Sequence, residues 1–249
     1  MIVLKNGEEI GKMRTASKYA MEVLVELKRY VREDVRTSDL ETACEEMVRK
    51  RGNIKAAFKG YNDFPYCLCV SVNDEVVHGM PSGRILREGD IVSLDFGAIY
   101  KGFYGDAAVT YPVGKISGEA QRLVAVTEES LYRGIEEARE GNRLYDVSYA
   151  IQSHVEAEGF SVVRDFVGHG IGRHLHEEPQ IPNFGVKGTG VRLRKGMVLA
   201  IEPMINEGGS DIIIRENGWT AATRDGKLSA HFEHTIALTD KGTEVLSAL

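Results

Sequence analysis

Five side chains in this sequence could together bind metal ions: the carboxylates of Asp95, Asp106, Glu202 and Glu233, and the imidazole of His169. Each lies within or beside an apolar run typical of a β-strand, where an unpaired charge is costly. Carboxylates that meet in a protein interior repel each other unless a cation or a proton lies between them. Four carboxylates and one imidazole suit divalent first-row metals better than a structural zinc site, which prefers sulfur and nitrogen. The residue types therefore predict a metal site.

An internal repeat relates two of these acids. Residues 86–95 recur as residues 193–202, at an offset of 107, with leucine, arginine and glycine at identical places. Each copy ends in an acid, Asp95 in the first and Glu202 in the second. Two related halves packed about a pseudo-twofold axis would bring these two carboxylates to one central site.

The order of predicted elements supports one domain made of two similar halves. A chain of 249 residues can bury a full core, and the repeat divides it into halves of about 1–113 and 114–249. Hydrophobic spacing and capping signals predict helices over about 6–31, 38–52, 117–139 and 146–158, the first opened by Asn6 with Glu9 and the second by Ser38 with Glu41. Apolar runs predict strands over 66–77, 90–100, 103–113, 161–167 and 197–204. Helices covering a mostly antiparallel sheet make an α+β fold.

A predicted hairpin places Asp95 beside Asp106. If Lys101-Gly102 forms a two-residue turn, Tyr100 pairs with Phe103 and Asp95 faces Ala108. Because side chains alternate along a strand, Asp106 then shares a sheet face with Asp95. The two acids become diagonal neighbours, which suits two side chains that share a cation. The alternative is a polar hairpin face turned to water, but the apolar neighbours of both acids argue against it.

Local sequence around His169 and Glu202 indicates unusual backbone. His169 lies among the alternating glycines of Gly168-His169-Gly170-Ile171-Gly172, which we expect to let the backbone approach a ligand closely. The pattern differs from GxGxxG and precedes no apolar helix, so a nucleotide site is discounted. Pro203 after Glu202 interrupts a strand, an irregularity that can aim a side chain into a site.

Composition and charge restrict the class of protein. The net charge of −6 disfavours nucleic-acid and anionic-membrane binding. Three cysteines are too few for a disulfide framework, and no apolar run reaches membrane-spanning length. We therefore expect a cytoplasmic protein.

Taken together, the motifs resemble the type I methionine aminopeptidases of bacteria over nearly the whole chain. The segments that carry the resemblance are Ser93-Leu94-Asp95 with Asp106 eleven residues later, Gly168-His169-Gly170-Ile171-Gly172, His176-Glu177, Ile201-Glu202-Pro203-Met204 and Phe232-Glu233-His234-Thr235. The resemblance implies the pita-bread fold, with an antiparallel sheet covered by helices, and two divalent metal ions, which could be Co, Mn, Fe or Zn. It assigns Asp95 to one metal, His169 and Glu202 to the other, and Asp106 and Glu233 to both as bridges.

The same resemblance implies roles on the substrate side. His78 and His176 would donate hydrogen bonds to the substrate, and Glu202 is the family's candidate for moving a proton. The methionine pocket would be lined by Tyr61, Phe64, Cys69 and Trp219. Phe58, Leu175 and His231 stand at positions where we expect relatives to carry other residues, so the resemblance implies the metal site and methionine but no preference beyond methionine.

The implied activity is removal of the N-terminal methionine from newly made proteins when the second residue is small, by a water activated at the dinuclear site. Nascent N-termini would be the partners of a monomeric enzyme; docking to the ribosome stays open. One alternative is a proline-specific aminopeptidase or prolidase, whose members generally carry an additional N-terminal domain. Another is a non-catalytic pita-bread binding module, which would be expected to have lost metal ligands, whereas all five positions here can ligate.

Overall fold

The structure is a computed structural model that describes residues 1–249, with four α-helices and fifteen strands. The helices are α1 (Gly7–Leu27), α2 (Thr37–Arg51), α3 (Gly118–Glu137) and α4 (Leu144–Ala157). The first nine strands are β1 (Lys55–Ala56), β2 (Cys69–Val72), β3 (Glu75–Val77), β4 (Ile91–Tyr100), β5 (Phe103–Pro112), β6 (Ser161–Val162), β7 (Gly168–Gly170), β8 (Glu177–Ile181) and β9 (Val198–Ile201). The remaining strands are β10 (Met204–Asn206), β11 (Ile212–Ile214), β12 (Ala221–Thr223), β13 (Ser229–His231), β14 (Glu233–Thr239) and β15 (Gly242–Val245).

A nine-stranded antiparallel sheet contains strands from both halves. Its order is β1-β4-β5-β14-β9-β7-β8, with β2 also paired to β4 and β15 also paired to β14. The halves meet where β5 pairs with β14, and β4 and β9 lie at equivalent places on either side. Two three-stranded sheets, β13-β10-β6 and β11-β12-β3, complete the fold.

The offset of 107 residues also relates backbone contacts that lie outside the repeated sequence. An isolated antiparallel bridge joins Arg36 to Ile85, and another joins Arg143 to Arg192, 107 residues later at both ends. Arg36 and Arg143 are also the N-cap residues of α2 and α4, each bonded to an aspartate three positions on. The two halves therefore share a fold, as the repeat predicts.

Helix α1 packs closely on the β4–β5 hairpin. The predicted capping box is present, because the Asn6 side chain accepts from the Glu9 N–H and the Glu9 carboxylate accepts from the Asn6 N–H. Leu24 and Leu27 are fully buried in the core between α1, α2 and the sheet. At Gly105 in β5 a Cβ atom would collide with the backbone of Ser17 in α1, so glycine permits this approach.

The predicted start of α2 is wrong. The cap is Arg36 with Asp39, and Ser38 lies inside the helix. Glu41, which we expected to complete the cap, instead turns inward and accepts from the N–H groups of Cys67 and Leu68. Two buried backbone donors outcompete an exposed helix end, since unmet buried groups cost more than solvated ones.

Several predicted strands are shorter than expected. The run over 66–77 is divided at Asn73-Asp74 into β2 and β3, and only Ser161–Val162 of the run over 161–167 is a strand. The run over 197–204 is divided at Glu202-Pro203, where the chain leaves the large sheet as β9 and enters a small one as β10. No helix is long and apolar enough to cross a membrane.

Candidate active site

The β4–β5 hairpin brings Asp95 and Asp106 together in the predicted register. Tyr100 pairs with Phe103 and Asp95 with Ala108. Lys101 and Gly102 both have positive φ, 49° and 78°, as a type I′ turn requires. The short loop therefore fixes which face of the sheet the two acids share.

Strand β14 adds Glu233 to the same row of side chains. Ala108 pairs with Asp95 on one side and with Glu233 on the other, so its small side chain lies between the two acids. The backbone of Asp106 is held by Thr235, whose hydroxyl accepts from its N–H at 3.0 Å and donates to its carbonyl at 2.8 Å. Three carboxylates thus project from three adjacent strands.

His169 is placed by close packing of its strand. Gly168 and Gly170 flank it in β7; a Cβ on Gly168 would lie 2.5 Å from the carbonyl oxygen of Ala200, and one on Gly170 would collide with Glu178. The glycines therefore let neighbouring backbone approach β7 on both sides; that they also let the backbone approach a ligand stays a prediction. Glu202, where β9 ends, points its Oε1 atom at the Nε2 atom of His169, 3.5 Å away.

The five side chains form a cluster whose chemistry fits divalent cations. Atoms able to ligate a metal on Asp106, His169 and Glu233 all lie within 4.8 Å of one another, and these residues are buried. Asp95 Oδ1 and Glu233 Oε1 are buried without a hydrogen-bond partner. Unpaired buried acceptors of this kind are costly unless a cation or proton meets them.

The electrostatics of the cluster point the same way. Burial raises the pKa of Asp106 to about 7, against an opposing hydrogen bond from the Ala107 N–H. Burial and then the charges of neighbouring carboxylates raise the pKa of Asp95, Glu202 and Glu233 well above the usual range. Without a cation the group holds protons, and a cation bound among these oxygens would replace them.

His169 offers its free nitrogen to the same point. Its Nδ1 atom lies 3.0 Å from the carbonyl oxygen of Gly170, and because a carbonyl only accepts, Nδ1 carries the proton. Nε2 therefore presents a lone pair toward Glu202. Burial, and secondarily the nearby His176, lowers the pKa of His169 to about 3, so the ring stays neutral, as a metal ligand must be.

All eleven predicted site residues line a single cavity of about 140 Å³. They are Tyr61, Phe64, Cys69, His78, Asp95, Asp106, His169, His176, Glu202, Trp219 and Glu233. The sheet face with the acids forms its floor. The backbone of His78 is in the left-handed region with φ 59°, a strain of roughly 1–3 kcal/mol that is typical of functional sites.

Two histidines stand beside the acids. The His176 ring centroid lies 4.4 Å from that of His169, and Tyr61 Oη lies 2.7 Å from His176 Nδ1. Burial lowers the pKa of His176 and that of His78, the latter to about 4. Both rings are therefore neutral at pH 7 and each can donate one N–H.

Apolar and aromatic side chains also line the cavity. The rings of Phe64 and Trp219 meet edge to face at 5.1 Å between centroids. Cys69, which pairs with Asp95 across β2 and β4, is buried, and burial raises the pKa of its thiol well above the usual value. The thiol is thus an uncharged lining group, with no sign of an activated nucleophile.

Three contributions were missed or left open by the sequence. Asn62 lines the cavity mouth with φ 47°, and Thr235 holds Asp106. His231, whose position we expected to vary, lies with its Nε2 atom 3.5 Å from Glu202 Oε2. The only sequence signal for Thr235 was its place two residues after Glu233, on the same side of a strand.

Comparison with known proteins defines the class. Residues 11–240 match the model of metallopeptidase family M24, and the chain belongs to this family. Methionine aminopeptidase from Clostridium perfringens is 52% identical over 249 residues, covering 100% of both chains. The crystal structure of methionine aminopeptidase from Thermotoga maritima superposes with a TM-score of 0.98, at 51% identity and 100% coverage of both chains. The expected pita-bread fold and the recognised family are confirmed.

The proline-specific alternative is not favoured. A solved Xaa-Pro dipeptidase from Bacillus anthracis aligns with 99% of this chain at a TM-score of 0.79, but at only 23% identity. That likeness shows the fold alone, and this chain spans 62% of that longer one. A non-catalytic module is disfavoured too, because all five ligand positions meet in one cavity.

Proposed function

We propose that residues 1–249 form one catalytic domain that removes the N-terminal methionine from peptides and new proteins whose second residue is small. One observation carries the proposal: a cluster of metal-ligating side chains shares a cavity with an aromatic and thiol-lined wall. The cluster supports peptide hydrolysis, and the wall supports selection of an apolar side chain. The names of the full-length relatives support methionine as that side chain.

Two divalent ions, Co, Mn, Fe or Zn, would be held by the five clustered residues. Asp95 would bind one ion, His169 and Glu202 the other, and Asp106 and Glu233 both. When bound, such ions acidify water and stabilise negative charge on a carbonyl oxygen. The unpartnered oxygens on Asp95 and Glu233, and the free Nε2 of His169, support these residues as ligands, and the resemblance to the family supports the division between the two ions.

The protein's own groups would orient the substrate and handle protons. His176 and His78, both neutral and able to donate, would hydrogen-bond the scissile peptide and the oxyanion that develops there. Tyr61 fixes the His176 ring through the 2.7 Å contact with its Nδ1. Glu202, whose pKa burial raises, would accept and return a proton at its carboxylate.

The methionine side chain would lie against Tyr61, Phe64, Cys69 and Trp219. A flexible, polarizable thioether packs well on aromatic rings, and the edge-to-face pair of Phe64 and Trp219 offers such a surface. The unblocked amine would lie among the acidic groups, so a formylated or acetylated start would be refused.

We propose that the protein is a monomer, that it lies in the cytoplasm, and that it acts on the N-termini of nascent chains. The net charge of −6 and the absence of a membrane-spanning helix are in keeping with this.

The test is cleavage of peptides that differ only in their first residues. Met-Ala, Met-Lys, Ala-Pro and formyl-Met-Ala starts would be assayed with purified protein in Mn²⁺, Co²⁺, Fe²⁺ and Zn²⁺. We expect one methionine released from Met-Ala and little from the others. Glu233→Gln, which keeps shape but loses a bridging charge, serves as the inactive control.

Two outcomes would contradict the proposal in different ways. Faster turnover of Ala-Pro than of Met-Ala would overturn the methionine assignment and leave the metallopeptidase standing. Cleavage that persists in Glu233→Gln or without metal would overturn the cluster as the active site.

A further inference from the structure

His231 is a buried polar group that the proposed reaction does not use. Its side chain is 2% exposed, and its Nε2 atom is buried with no hydrogen-bond partner. Unpartnered groups in protein interiors are uncommon and call for an explanation.

Glu202 lies between two imidazoles. Its Oε1 atom is 3.5 Å from His169 Nε2, and its Oε2 atom is 3.5 Å from His231 Nε2. His169 carries its proton on Nδ1, bonded to a backbone carbonyl, so it has none to give to Glu202. Of the two rings, only His231 is free to donate an N–H to this carboxylate.

The backbone holds His231 firmly opposite Glu202. The N–H of His231 donates to Thr110 Oγ1 at 3.0 Å, and the same hydroxyl donates to the His231 carbonyl at 2.8 Å. Strand β13 pairs His231 with Met204, two residues after Glu202. A contraction of about 0.5 Å between Nε2 and Oε2 would complete a normal hydrogen bond.

We propose that His231 is a positioning residue: it donates its Nε2–H to Glu202 Oε2 and thereby turns Oε1 toward His169 and the metal. One carboxylate oxygen is anchored and the other is left free to ligate. Groups that orient a ligand in this way typically contribute 10–100-fold to metal affinity. The inference rests on the proposed metal site and adds a named determinant of its geometry.

The test compares three variants with Co²⁺ as the probe. His231→Gln keeps a side-chain N–H, and His231→Leu removes it at similar size. His154→Leu is the control, because His154 Nε2 is also buried without a partner and faces a carboxylate, Glu129, at 3.6 Å, but outside the cavity. Calorimetry would give the Co²⁺ affinity and visible absorption the ligand geometry, after thermal unfolding has shown that each variant is folded.

We expect His231→Leu to bind Co²⁺ about 10–100-fold more weakly, with a changed absorption spectrum. His231→Gln should restore both to near the wild type, and His154→Leu should change neither. Unchanged binding in His231→Leu, or equal losses in the leucine and glutamine variants, would overturn the role of the hydrogen bond. Failure of the wild type itself to bind Co²⁺ would instead overturn the proposed metal site, and this inference with it.

A measurement on the wild type needs no folded variant. Nitrogen-15 NMR of the Zn²⁺-loaded protein reports which imidazole nitrogen carries the proton. The proposal requires a protonated Nε2 on His231 and a protonated Nδ1 on His169. A proton on Nδ1 of His231 would overturn it.

Discussion

At the scale of single residues, the side chains of the metal cluster differ from the others in the site because some of their polar atoms have no hydrogen-bond partner. Asp95 and Glu233 each keep an oxygen buried without a partner, and His169 directs a lone pair at Glu202. By contrast, His176 is already bonded to Tyr61 and reaches solvent. The first kind of residue is suited to holding a cation, and the second to meeting a substrate.

The difference between a metal ligand and a substrate-binding residue can be measured by comparing the metal content and the reaction rate of variants. Asp106→Asn should lose bound metal and activity together, because a bridging ligand would hold both ions. His176→Ala should keep its metal while kcat and kcat/KM fall together by about 10²–10³, as for a donor used chiefly in the transition state. Elemental analysis and steady-state kinetics would decide.

Asp240→Asn is the matched control for the aspartate change, since that side chain is 75% exposed and paired with Lys195 at the surface. It should alter neither quantity. Equal metal loss from Asp106→Asn and His176→Ala would mean that His176 is a ligand and that its role here is wrong.

At the scale of elements, close approach between backbones positions the site. Strand β5, which carries Asp106, lies so near α1 that Gly105 has no room for a side chain. Residues near the N-terminus also tie down the segment that carries His176: Lys5 Nζ lies 2.7 Å from Glu177 Oε2, and both side chains are nearly buried. Helix α1, strand β5 and the segment around Lys5 thus all contribute to positioning the residues that line the cavity.

Gly105→Ala should lower the free energy of unfolding by about 1–3 kcal/mol, since the added methyl forces α1 and β5 apart. Gly118→Ala is the control, because nothing lies within 4 Å of a Cβ there, and alanine favours a helix. Urea unfolding measures both. A Gly105→Ala protein as stable as the wild type would show that α1 moves without cost.

Lys5→Met should destabilise by about 3 kcal/mol, because removing one partner leaves the Glu177 carboxylate buried and unpaired. The Lys5 contact also lowers the pKa of Glu177 against the effect of burial. Lys12→Met removes an exposed pair with Glu8 and should cost less than about 1 kcal/mol. Equal effects in urea unfolding would contradict a structural role for the buried pair.

At the scale of the whole molecule, two repeated halves supply one site. The halves join through β5 and β14, so the acids of the hairpin and of the C-terminal strand meet at the shared seam. The gathered carboxylates repel each other in a buried place. Ionising all of them in the metal-free fold therefore builds up a strain, which either protons or a bound cation relieve.

The strain predicts a dependence of stability on pH. Burial raises the pKa of Asp106 to about 7 and those of the other three acids well above their usual values. The folded metal-free protein therefore binds protons that the unfolded chain has already released. Its stability falls as the pH rises from the ordinary pKa of an unfolded carboxyl group, about 4, to the raised pKa values of the folded protein. In EDTA the Tm should fall between pH 7 and 8.5, where unfolded histidines are mostly neutral.

With saturating Mn²⁺ this fall should disappear, because the cation keeps the carboxylates ionised and competes with protons. Thermal unfolding at several pH values measures both states. A Tm in EDTA that is constant or rises over this range would contradict the assignment of raised pKa values to the cluster.

The sequence by itself determined the features that depend on near neighbours in the chain. Strand alternation and the two-residue turn at Lys101-Gly102 fixed the register that unites Asp95 with Asp106. The repeat indicated two halves, the residue types indicated the five metal-ligating positions, and the family resemblance supplied the other six predicted residues, all eleven of which line the cavity. These features can be predicted from the sequence because side chains alternate with a period of two along a strand and a two-residue turn fixes the pairing of its strands.

Only the tertiary structure decided contacts between distant segments. Glu41 accepts from the backbone of Cys67 and Leu68 and does not form its expected cap, and the glycines beside His169 make room for the backbone of β8 and β9. Thr235 in β14 bonds to Asp106, and His231 in β13 faces Glu202, although each lies far along the chain from its neighbour. These contacts depend on which polar groups are buried without a hydrogen-bond partner. The balance between the cost of desolvation and the gain from hydrogen bonding is set only when the chain is packed.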